Sequence, residues 1–379
     1  MKQFEKVLAI ETSCDDTSVA IVSHDGFVLA QRSADQNLAH ERFGGVVPEI
    51  ACRNHTFNLL PLVDEVLKSS HLQIKDLSGI AVTSEPGLIG SLLVGLVSAK
   101  TLALVNDLKF IGVNHLEGHL LAPFLKDATY APPQDFKYPY IALAISGGHS
   151  SLYLIKDFGK YEVLGNTRDD AAGEAFDKFA KLLGLGFPGG VHVDRLAQGG
   201  DVKAFSFPRP LIRETHFDFS FSGLKSSALR LVSAFSAEDR AQLDAQASLW
   251  LKRGASDAAR KIQGDDLKDF SLLSNLCASY QEAIVDVLVE RLFRAAEKFN
   301  LNRVVVTGGV SANSRLRARV QEEARVRACQ IVIPPIRYCT DNAAMIGLAG
   351  IIRLNRGEFS GQELSPKARS PLGSRYVSV

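Results

Sequence analysis

Two histidines four positions apart form the clearest metal-binding pattern in the sequence, His115 and His119 within Asn114–His119 (NHLEGH). The stretch predicts the start of a helix, and side chains at i and i+4 lie on one helix face, so both imidazoles can reach one metal ion. The alternative is that local hydrogen bonds satisfy both rings. A metal site would need a third ligand, which can come from far along the chain.

The glutamate between the two histidines argues against a peptidase. The pattern is similar to the HExxH of zinc proteases, but the glutamate is displaced by one position. At ~100° per residue, Glu117 lies about 200° around the helix from His115 and faces away from a shared metal. Glu117 is therefore poorly placed as a hydrolytic base, and a metallopeptidase is kept only as an alternative.

Asp341 is the candidate third ligand. It lies in Tyr338–Asn342 (YCTDN), directly before an apolar helix predicted over Ala343–Leu354. Two imidazoles and one carboxylate suit Zn²⁺ or Fe²⁺ and leave coordination positions open for a substrate. The alternative is that Asp341 or Thr340 is simply the N-cap of that helix.

Three carboxylates crowd the turn after the first predicted strand: Glu11, Asp15 and Asp16. Burying such groups without partners would be costly, so a buried cluster would bind a metal or orient an amine. The alternative is that they are exposed turn carboxylates without such a role.

Three glycine turns indicate a nucleotide-like ligand. They are Ser146–His149 (SGGH), Pro188–Gly190 (PGG) and Gly308–Asn313 (GGVSAN). Glycine lets backbone N–H groups approach an anion, and a helix following the third turn would favour a phosphate there. Ser146 lacks the first glycine of a GxSxG motif, which argues against a serine hydrolase.

An internal repetition predicts the elements that position these residues. Lys6–Ala30 and Tyr140–Gly165 each show strand, polar turn, strand, turn and strand. Gly79–Gly87 and Arg303–Val310 each show a buried strand that ends at a threonine and a glycine-containing turn before a helix. No GxGxxG or GxxxxGK[ST] motif follows any of these strands. The repetition predicts two duplicated α/β lobes with a ligand cleft between them.

The lobe boundary is predicted in the Pro-rich stretch Asp127–Tyr138. This gives an N-terminal lobe over residues 1–135 with the histidine pair, and a C-terminal lobe over residues 136–379 with the glycine turns and Asp341. Residues 236–274 indicate surface helices inserted into the second lobe. Leu88–Val105 carries glycine, serine and lysine residues, so it predicts a helix buried between layers and not a membrane span.

Composition narrows the class of protein. The chain has 379 residues, 46% hydrophobic and 22% charged, which suggests two globular domains. With 43 basic and 42 acidic side chains, its net charge of +1 excludes the strongly basic field of a stand-alone nucleic-acid binder. Five arginines between Arg315 and Arg327 fan around a predicted helix, which favours a solvated face. Five cysteines without a CxxC pair and no leader before the first strand predict a cytoplasmic protein.

Eight motifs, in this order, resemble the tRNA threonylcarbamoyladenosine (t6A) transferase family, formerly called O-sialoglycoprotein endopeptidase, in its bacterial form. No single motif is specific, but together they cover the chain from about Lys6 to Arg353. They are IETSCDDT (10–17), HLEGH (115–119), SGGH (146–149), DDAAGEAFDK (169–178), FPGG (187–190), FSFSGLK (219–225), GGVSAN (308–313) and TDN (340–342).

The resemblance implies an actin/sugar-kinase-like α/β fold and a tRNA-modifying acyltransferase. The implied reaction transfers the threonylcarbamoyl group from threonylcarbamoyl-AMP to the N6 amine of the adenosine 3′ of the anticodon, in tRNAs that read codons beginning with A. AMP is released. The implied partners are tRNA, an inactive paralogue and a small P-loop ATPase, with no membrane. An ATP-binding phosphotransferase-like module of the same fold is the second alternative.

The resemblance also assigns residues. One Fe²⁺ or Zn²⁺ per subunit would be held by His115, His119 and Asp341, and Asp15 and Asp16 would lie near the reacting centre. We expect one of these two aspartates to accept the proton of the acceptor amine. The adenylate donor would be held by Ala144, Ile145, Ser146, Gly147, Gly148, Asp177, Gly190, Asp194 and Asn313.

Two positions depart from the family pattern near these motifs. Glu85 stands where the family usually has glycine, and Val191 stands where it usually has proline. We expect the neighbouring His192 to lie at the rim of the ligand cleft. Neither departure changes the three predicted metal ligands.

Overall fold

The computed structural model describes residues 3–41, 43–253 and 264–375, which form two compact units. The first comprises Met1–Phe136 and Val332–Gly373, and the second comprises Lys137–Ile331 and Ser374–Val379. The chain thus leaves the first unit at the predicted boundary but returns to it. The prediction that everything after residue 135 forms one lobe is wrong for Val332–Gly373, because the apolar helix in this segment packs on the sheet of the first unit.

The strands of the described ranges fall into two sheets, one in each unit. In chain order they are β1 Lys6–Glu11, β2 Thr17–Ser23, β3 Val28–Ala34, β4 Gly79–Glu85, β5 Lys109–Asn114, β6 Tyr140–Ile145, β7 Ser150–Asp157, β8 Lys160–Asn166, β9 Arg303–Thr307, β10 Gln330–Val332 and β11 Ser374–Arg375.

The helices of the described ranges cover and connect these strands. They are α1 Asn37–Glu41, α2 Pro48–Ser69, α3 Ile89–Val105, α4 His115–Leu121, α5 Ala172–Leu182, α6 Gly189–Ala197, α7 Ser222–Ser233, α8 Ala237–Lys252, α9 Ser271–Lys298, α10 Ser314–Val326, α11 Ile336–Cys339 and α12 Ala343–Asn355. Within these ranges, none of the helices combines the length and apolar character that crossing a bilayer requires.

The sheet of the first unit has the order β3-β2-β1-β4-β5. β1 runs antiparallel to β2 and parallel to β4, and β4 runs parallel to β5. Leu8 and Ile10 of β1 pack on one face with apolar residues of α2 and α3. On the opposite face, α12 packs on β1, β2 and β4. Both faces are covered, which explains the continuous apolar runs of these strands.

The second sheet repeats this arrangement, with the order β10-β9-β6-β7-β8-β11. β6 pairs antiparallel with β7 and parallel with β9, as β1 pairs with β2 and β4. The predicted internal repetition is therefore confirmed as two related sheets, each built from three antiparallel strands with a later strand added parallel to the first.

The structure corrects the prediction for the helix at Leu88–Val105 and adds detail to the predicted insertion at residues 236–274. α3 is buried on one side only, because Ile89, Leu93, Val97 and Leu104 are each about half exposed or more. The prediction of a helix buried between layers is therefore wrong for this face. Within the predicted insertion, α8 packs on α9, and residues 254–263 lie outside the described ranges.

Candidate metal and nucleotide sites

The predicted histidine pair lies on α4, which begins where β5 ends. The side chain of Asn114 caps this helix by accepting hydrogen bonds from the N–H groups of Leu116 (2.9 Å) and Glu117 (3.4 Å). Every residue of α4 is buried. The rings of His115 and His119 meet edge to face with centroids 4.7 Å apart, so the i, i+4 spacing brings them together as predicted.

Asp341 completes the group from the segment between α11 and α12. Its Oδ1 lies 3.4 Å from Nε2 of His115 and 3.1 Å from Nε2 of His119. Asn342 caps α12, because its side chain accepts the N–H of Met345 at 3.0 Å. The alternative that Asp341 or Thr340 is this N-cap is therefore wrong, and the Asp341 carboxylate is directed to the histidines instead.

These three side chains fit a divalent metal. One ligand atom from each lies within 4.8 Å of the others. Ligands bound about 2.1 Å from a tetrahedral ion lie roughly 3.4 Å apart, close to the two separations of 3.4 and 3.1 Å between Oδ1 of Asp341 and the histidine nitrogens. Nδ1 of His119, which is not the nitrogen that faces Asp341, is buried and has no hydrogen-bond partner in the described part of the chain, so local hydrogen bonds do not satisfy both nitrogens of this ring.

Glu11 lies directly behind His115, on the side away from Asp341. Its Oε2 is 3.1 Å from Nδ1 of His115 and accepts the hydroxyl of Thr83, and its Oε1 accepts the N–H of Ser13 at 2.5 Å. Glu11 is fully buried, whereas Asp15 and Asp16 are half-buried. The acidic cluster predicted from the sequence thus divides into one carboxylate that orients a histidine and two in the turn.

The electrostatics of the group favour a positive charge at its centre. Burial alone would lower the pKa of His115, but the charges of Asp341 and Glu11 outweigh burial and raise it well above the usual value. Burial would raise the pKa of Asp341, but His115 and His119 lower it well below the usual value. A divalent cation bound there would interact favourably with the negative charges of these two carboxylates.

Glu117 faces the opposite side of α4, as its position on the helix predicted. Its carboxylate accepts two hydrogen bonds from the Arg353 guanidinium, at 2.8 and 2.9 Å, and it is fully buried. Arg353 belongs to α12, so this ion pair joins α4 to the helix that follows Asp341. Glu117 is therefore a structural residue and not a hydrolytic base.

The turn with Asp15 and Asp16 is held by His55 of α2. The two ring nitrogens of His55 lie 2.8 Å from Oγ1 of Thr17 and 2.9 Å from the carbonyl oxygen of Cys14. Burial and the charges of Asp341 and Asp15 raise the pKa of Asp16 to about 8. Among the described lining residues of a cavity of about 550 Å³ are Asp16 and Asp341, but not Asp15.

In the second unit, the ends of β6 and β9 bring two of the predicted glycine turns together. Gly308 has φ +87°, and a Cβ there would overlap the carbonyl of Ile145. Gly147 and Gly148 have open space where a Cβ would lie. Only glycine therefore fits the close approach at position 308, and the backbone at 147–148 is accessible to a ligand.

The polar residues predicted to hold the donor form two local groups. Oδ1 of Asp177 accepts the N–H of Gly189 at 2.8 Å and that of Gly190 at 3.4 Å. Asp194 accepts the N–H and hydroxyl of Ser314, next to Asn313. The structure thus pairs Asp177 with the PGG turn and Asp194 with the GGVSAN turn.

Asn313 is itself engaged within the second unit. Its Oδ1 accepts the N–H of Leu316 at 2.9 Å and caps α10, and its Nδ2 donates to Gln281 at 2.6 Å. Arg315 of α10 makes a two-point ion pair with Glu282. This arginine is neutralised by an acidic neighbour, which fits the predicted solvated face better than a basic RNA-binding stripe.

His192 is not at a rim. It is 2% exposed, and its Nδ1 accepts the indole N–H of Trp250 at 3.1 Å. Burial, with the charge of Arg195, lowers the pKa of His192 to about 4. Sequence reasoning missed this pair because Trp250 lies in the segment predicted to be a surface insertion.

Comparison with known proteins identifies the family. The model of the TsaD family, tRNA N6-adenosine threonylcarbamoyltransferase, matches residues 27–348. A protein of that name from Bdellovibrio bacteriovorus is 56% identical over 366 residues, covering 97% of this chain and 98% of that protein. One from Anaeromyxobacter dehalogenans is 48% identical, covering 95% and 97%. This chain belongs to the tRNA N6-adenosine threonylcarbamoyltransferase family.

Fold comparison agrees with the implied architecture. The crystal structure of full-length HypF, in its phosphate- and nucleotide-bound form, matches 94% of this chain and 47% of its own with a TM-score of 0.55 and 12% identity. At this identity the likeness concerns the fold alone. The predicted actin/sugar-kinase-like α/β fold is thereby confirmed.

Proposed function

We propose that this protein transfers the threonylcarbamoyl group from threonylcarbamoyl-AMP to the N6 amine of the adenosine 3′ of the anticodon, in tRNAs that read codons beginning with A. The observation that carries the proposal is the 56% identity, over nearly the whole chain, to a relative named for this activity. In the reaction, N6 attacks the carbamoyl carbon, a C–N bond forms, the bond from that carbon to the phosphate oxygen breaks, and AMP leaves.

One Fe²⁺ or Zn²⁺ per subunit is proposed at His115, His119 and Asp341. A divalent ion held there would supply Lewis-acid stabilisation of charge on substrate oxygens. The convergence of the three side chains on Oδ1 of Asp341 supports this assignment. Glu11 orients His115, and the ion pair of Glu117 with Arg353 fixes the opposite side of α4.

Asp16 is proposed to accept the proton that the N6 amine loses, and Asp15 is kept as the alternative. An aromatic amine is a weak nucleophile, so a carboxylate that takes its proton as the new bond forms assists the attack. Asp16 lines the cavity beside Asp341 and Asp15 does not, which supports the choice of Asp16. Replacing each aspartate by asparagine tests the assignment, and transfer rates within a few-fold of the unsubstituted enzyme for both variants would refute it.

The cavity beside Asp341 is proposed to receive the acceptor base. It lies in the first unit, and its lining includes the apolar Val28 and Ala30, Arg337, and the carboxylates of Asp16 and Asp341. A carboxylate such as that of Asp16 can accept a hydrogen bond from the exocyclic amine of the base. At about 550 Å³, the cavity is of ordinary size for a small-molecule site.

The second unit is proposed to hold the adenylate of the donor. The accessible backbone at Gly147–Gly148, following Ala144, Ile145 and Ser146, suits an anionic or sugar group. The PGG turn with Asp177 and Gly190 and the GGVSAN turn with Asp194 and Asn313 are the other proposed contacts. Their hydrogen bonds hold both turns in a defined shape before a ligand binds.

Partners are proposed from the family and from one exposed surface. The enzyme would bind tRNA in the cytoplasm and act with an inactive paralogue and a small P-loop ATPase. Ile89, Leu93, Val97 and Leu104 form an exposed apolar stripe on α3, because they lie within ~80° of each other around the helix. Exposed apolar surface of this kind is typical of protein interfaces. The stripe supports the proposal that the enzyme acts with a protein partner.

The test is nucleoside mass spectrometry on unmodified tRNA. The tRNA is incubated with the protein, threonylcarbamoyl-AMP and Fe²⁺ or Zn²⁺, with and without the two partner proteins. We expect modified adenosine from the unsubstituted protein and none from His115→Ala/His119→Ala. His24→Ala/His71→Ala, which changes two exposed histidines, is the matched control and should keep activity. Absence of product with metal and partners present would refute the function.

Two further measurements address the alternatives. Cleavage of a glycoprotein by metal-loaded protein, lost in the His115→Ala/His119→Ala variant, would favour the metallopeptidase. Hydrolysis of ATP by the isolated chain without tRNA would favour the phosphotransferase-like module. We expect neither, because Glu117 is held by Arg353 and the relatives carry the transferase name.

A further inference from the structure

Asp127 joins the two chain segments that supply the proposed metal ligands. It lies beyond α4, after the 3-10 turn Ala122–Phe124, and it contacts α11, which ends two residues before Asp341. His115 and His119 share one short helix, so their relative positions are fixed locally. Asp341 comes from a segment more than 200 residues away in sequence and must be positioned by tertiary contacts.

The carboxylate of Asp127 accepts six hydrogen bonds. Its Oδ2 accepts Nε and Nη2 of Arg337, at 3.0 and 2.7 Å, and the hydroxyl of Tyr338 at 2.5 Å. Its Oδ1 accepts the N–H and hydroxyl of Thr129, at 2.7 and 2.8 Å, and the N–H of Tyr130 at 3.0 Å. One oxygen therefore shapes the loop after α4, and the other holds α11 to that loop.

This arrangement is partly buried. Tyr338 is 2% exposed, and the guanidinium of Arg337 lies over its ring with 5.0 Å to the centroid. Burial would raise the pKa of Asp127, but its hydrogen bonds from Tyr338, Thr129 and Arg337 lower it far below the usual value. The carboxylate is therefore charged throughout the physiological pH range.

The segment that carries Asp341 is held at both ends. On its C-terminal side, Asn342 caps α12, and the N–H of Ala343 donates to Oγ of Ser18 at 3.0 Å. On its N-terminal side, Arg337 and Tyr338 tie α11 to the loop after α4, because Asp127 accepts from both and Nη2 of Arg337 also donates to Oγ1 of Thr129.

We propose that Asp127 is a positioning residue that sets the place of Asp341 relative to His115 and His119. It acts through the backbone of α11, because six donors already occupy its two oxygens. The inference rests on the proposed metal centre and adds to it a residue outside the ligands and their direct partners.

Asp127→Asn is the principal test. Asparagine keeps the size of the side chain and can still accept from the loop N–H groups, but its NH₂ would face the donors of Arg337 and Tyr338. The probe is Zn²⁺, with affinity measured on the full chain by competition with a chromophoric chelator. We expect affinity to fall roughly 2- to 30-fold, the usual range for coupling through packed and hydrogen-bonded residues.

Two variants make the result specific. Asp25→Asn is the matched control, because Asp25 pairs with Lys126, next to Asp127, but makes no described hydrogen bond to α11. It should bind Zn²⁺ like the unsubstituted protein. Tyr338→Phe removes one hydrogen bond from Asp127 and should weaken binding less than Asp127→Asn, and the two effects should be less than additive when combined.

The outcomes separate this inference from the metal centre itself. If the unsubstituted protein binds neither Zn²⁺ nor Fe²⁺, or binds them no more tightly than His115→Ala/His119→Ala does, both the metal centre and the inference are refuted. If Asp127→Asn is folded and binds Zn²⁺ with unchanged affinity, the metal centre stands and the inference fails. A lower melting temperature of the metal-free variant, without a change in Zn²⁺ affinity, would show a purely structural role. If Asp127→Asn does not fold, Tyr338→Phe decides by the same affinity criterion.

Discussion

Replacing Glu11 by glutamine would remove the charge behind His115 while keeping almost the same side-chain shape. In the structure, Oε2 of Glu11 lies 3.1 Å from Nδ1 of His115, and its two oxygens also accept from Ser13 and Thr83. A glutamine has one acceptor oxygen, so it cannot accept on both sides, and its NH₂ would face a donor. Glu11→Gln should therefore disturb the orientation of the His115 ring and also remove the negative charge beside it.

The expected loss of metal affinity in Glu11→Gln can be estimated from this geometry. At 3.1 Å and an effective dielectric constant of ~20, full charges on Glu11 and His115 would attract by at most about 5 kcal/mol. A metal-bound histidine carries only part of that charge, so the loss is smaller. Removing a carboxylate that orients a metal-binding histidine typically costs 10- to 100-fold in metal affinity, or about 1.4–2.7 kcal/mol. We expect Glu11→Gln to fall within this range.

The assay is Zn²⁺ binding by chelator competition at neutral pH, with far-UV circular dichroism to confirm that the variant is folded. Glu5→Gln, at an exposed glutamate on the residue before β1, is the control and should leave affinity unchanged. A folded Glu11→Gln protein that binds Zn²⁺ within two-fold of the unsubstituted protein would refute the argument. Glu11 would then be a buried structural carboxylate without influence on the metal.

Three further predictions concern stability. Arg353→Met would leave the buried Glu117 without its guanidinium partner and should lower the free energy of unfolding, measured in urea, by about 3–5 kcal/mol. If replacing an exposed arginine by methionine lowered it as much, the argument would be contradicted. Gly308→Ala should lower the melting temperature, because φ is +87° and the new Cβ would overlap the backbone at the end of β6; an unchanged value would show that the turn relaxes freely. His192 has its pKa lowered to about 4, so the folded state binds fewer protons than the unfolded state below pH ~6.5. Stability should fall by up to about 3 kcal/mol from pH ~6.5 to ~4, with a change in the fluorescence of Trp250, the single tryptophan of the chain, and His192→Gln should remove this slope.

The sequence was most informative where structure is local. The apolar runs of β1 and β6 and the spacing of His115 and His119 depend on periods of two and 3.6 residues, which are read directly from neighbouring residues. The duplicated sheets and the pairing of the two histidines were predicted on this basis, and the structure contains both. The position of Glu117 on the far side of α4 followed from the same helical period.

Prediction failed where a residue's role depends on distant contacts. The sequence placed Glu11 in one acidic cluster with Asp15 and Asp16, because proximity along the chain does not show which carboxylate turns inward. It placed His192 at a rim, because its partner Trp250 lies 58 residues away. The exposed stripe on α3 was missed because overall hydropathy does not tell which side of an apolar helix is covered.

The return of Val332–Gly373 to the first unit explains why Asp341 can meet the histidines at all. Gly347 and Gly350 let α12 approach β1, β2 and β4 so closely that a Cβ at either position would overlap Val22 or Ala81. The far end of the same helix is held to α4 by Arg353. The helix that follows Asp341 is therefore fixed on the sheet and on the histidine helix. It follows that the geometry of the proposed metal centre depends on packing inside the first unit, and that enlarging Gly350 should weaken metal binding although this residue is not a ligand.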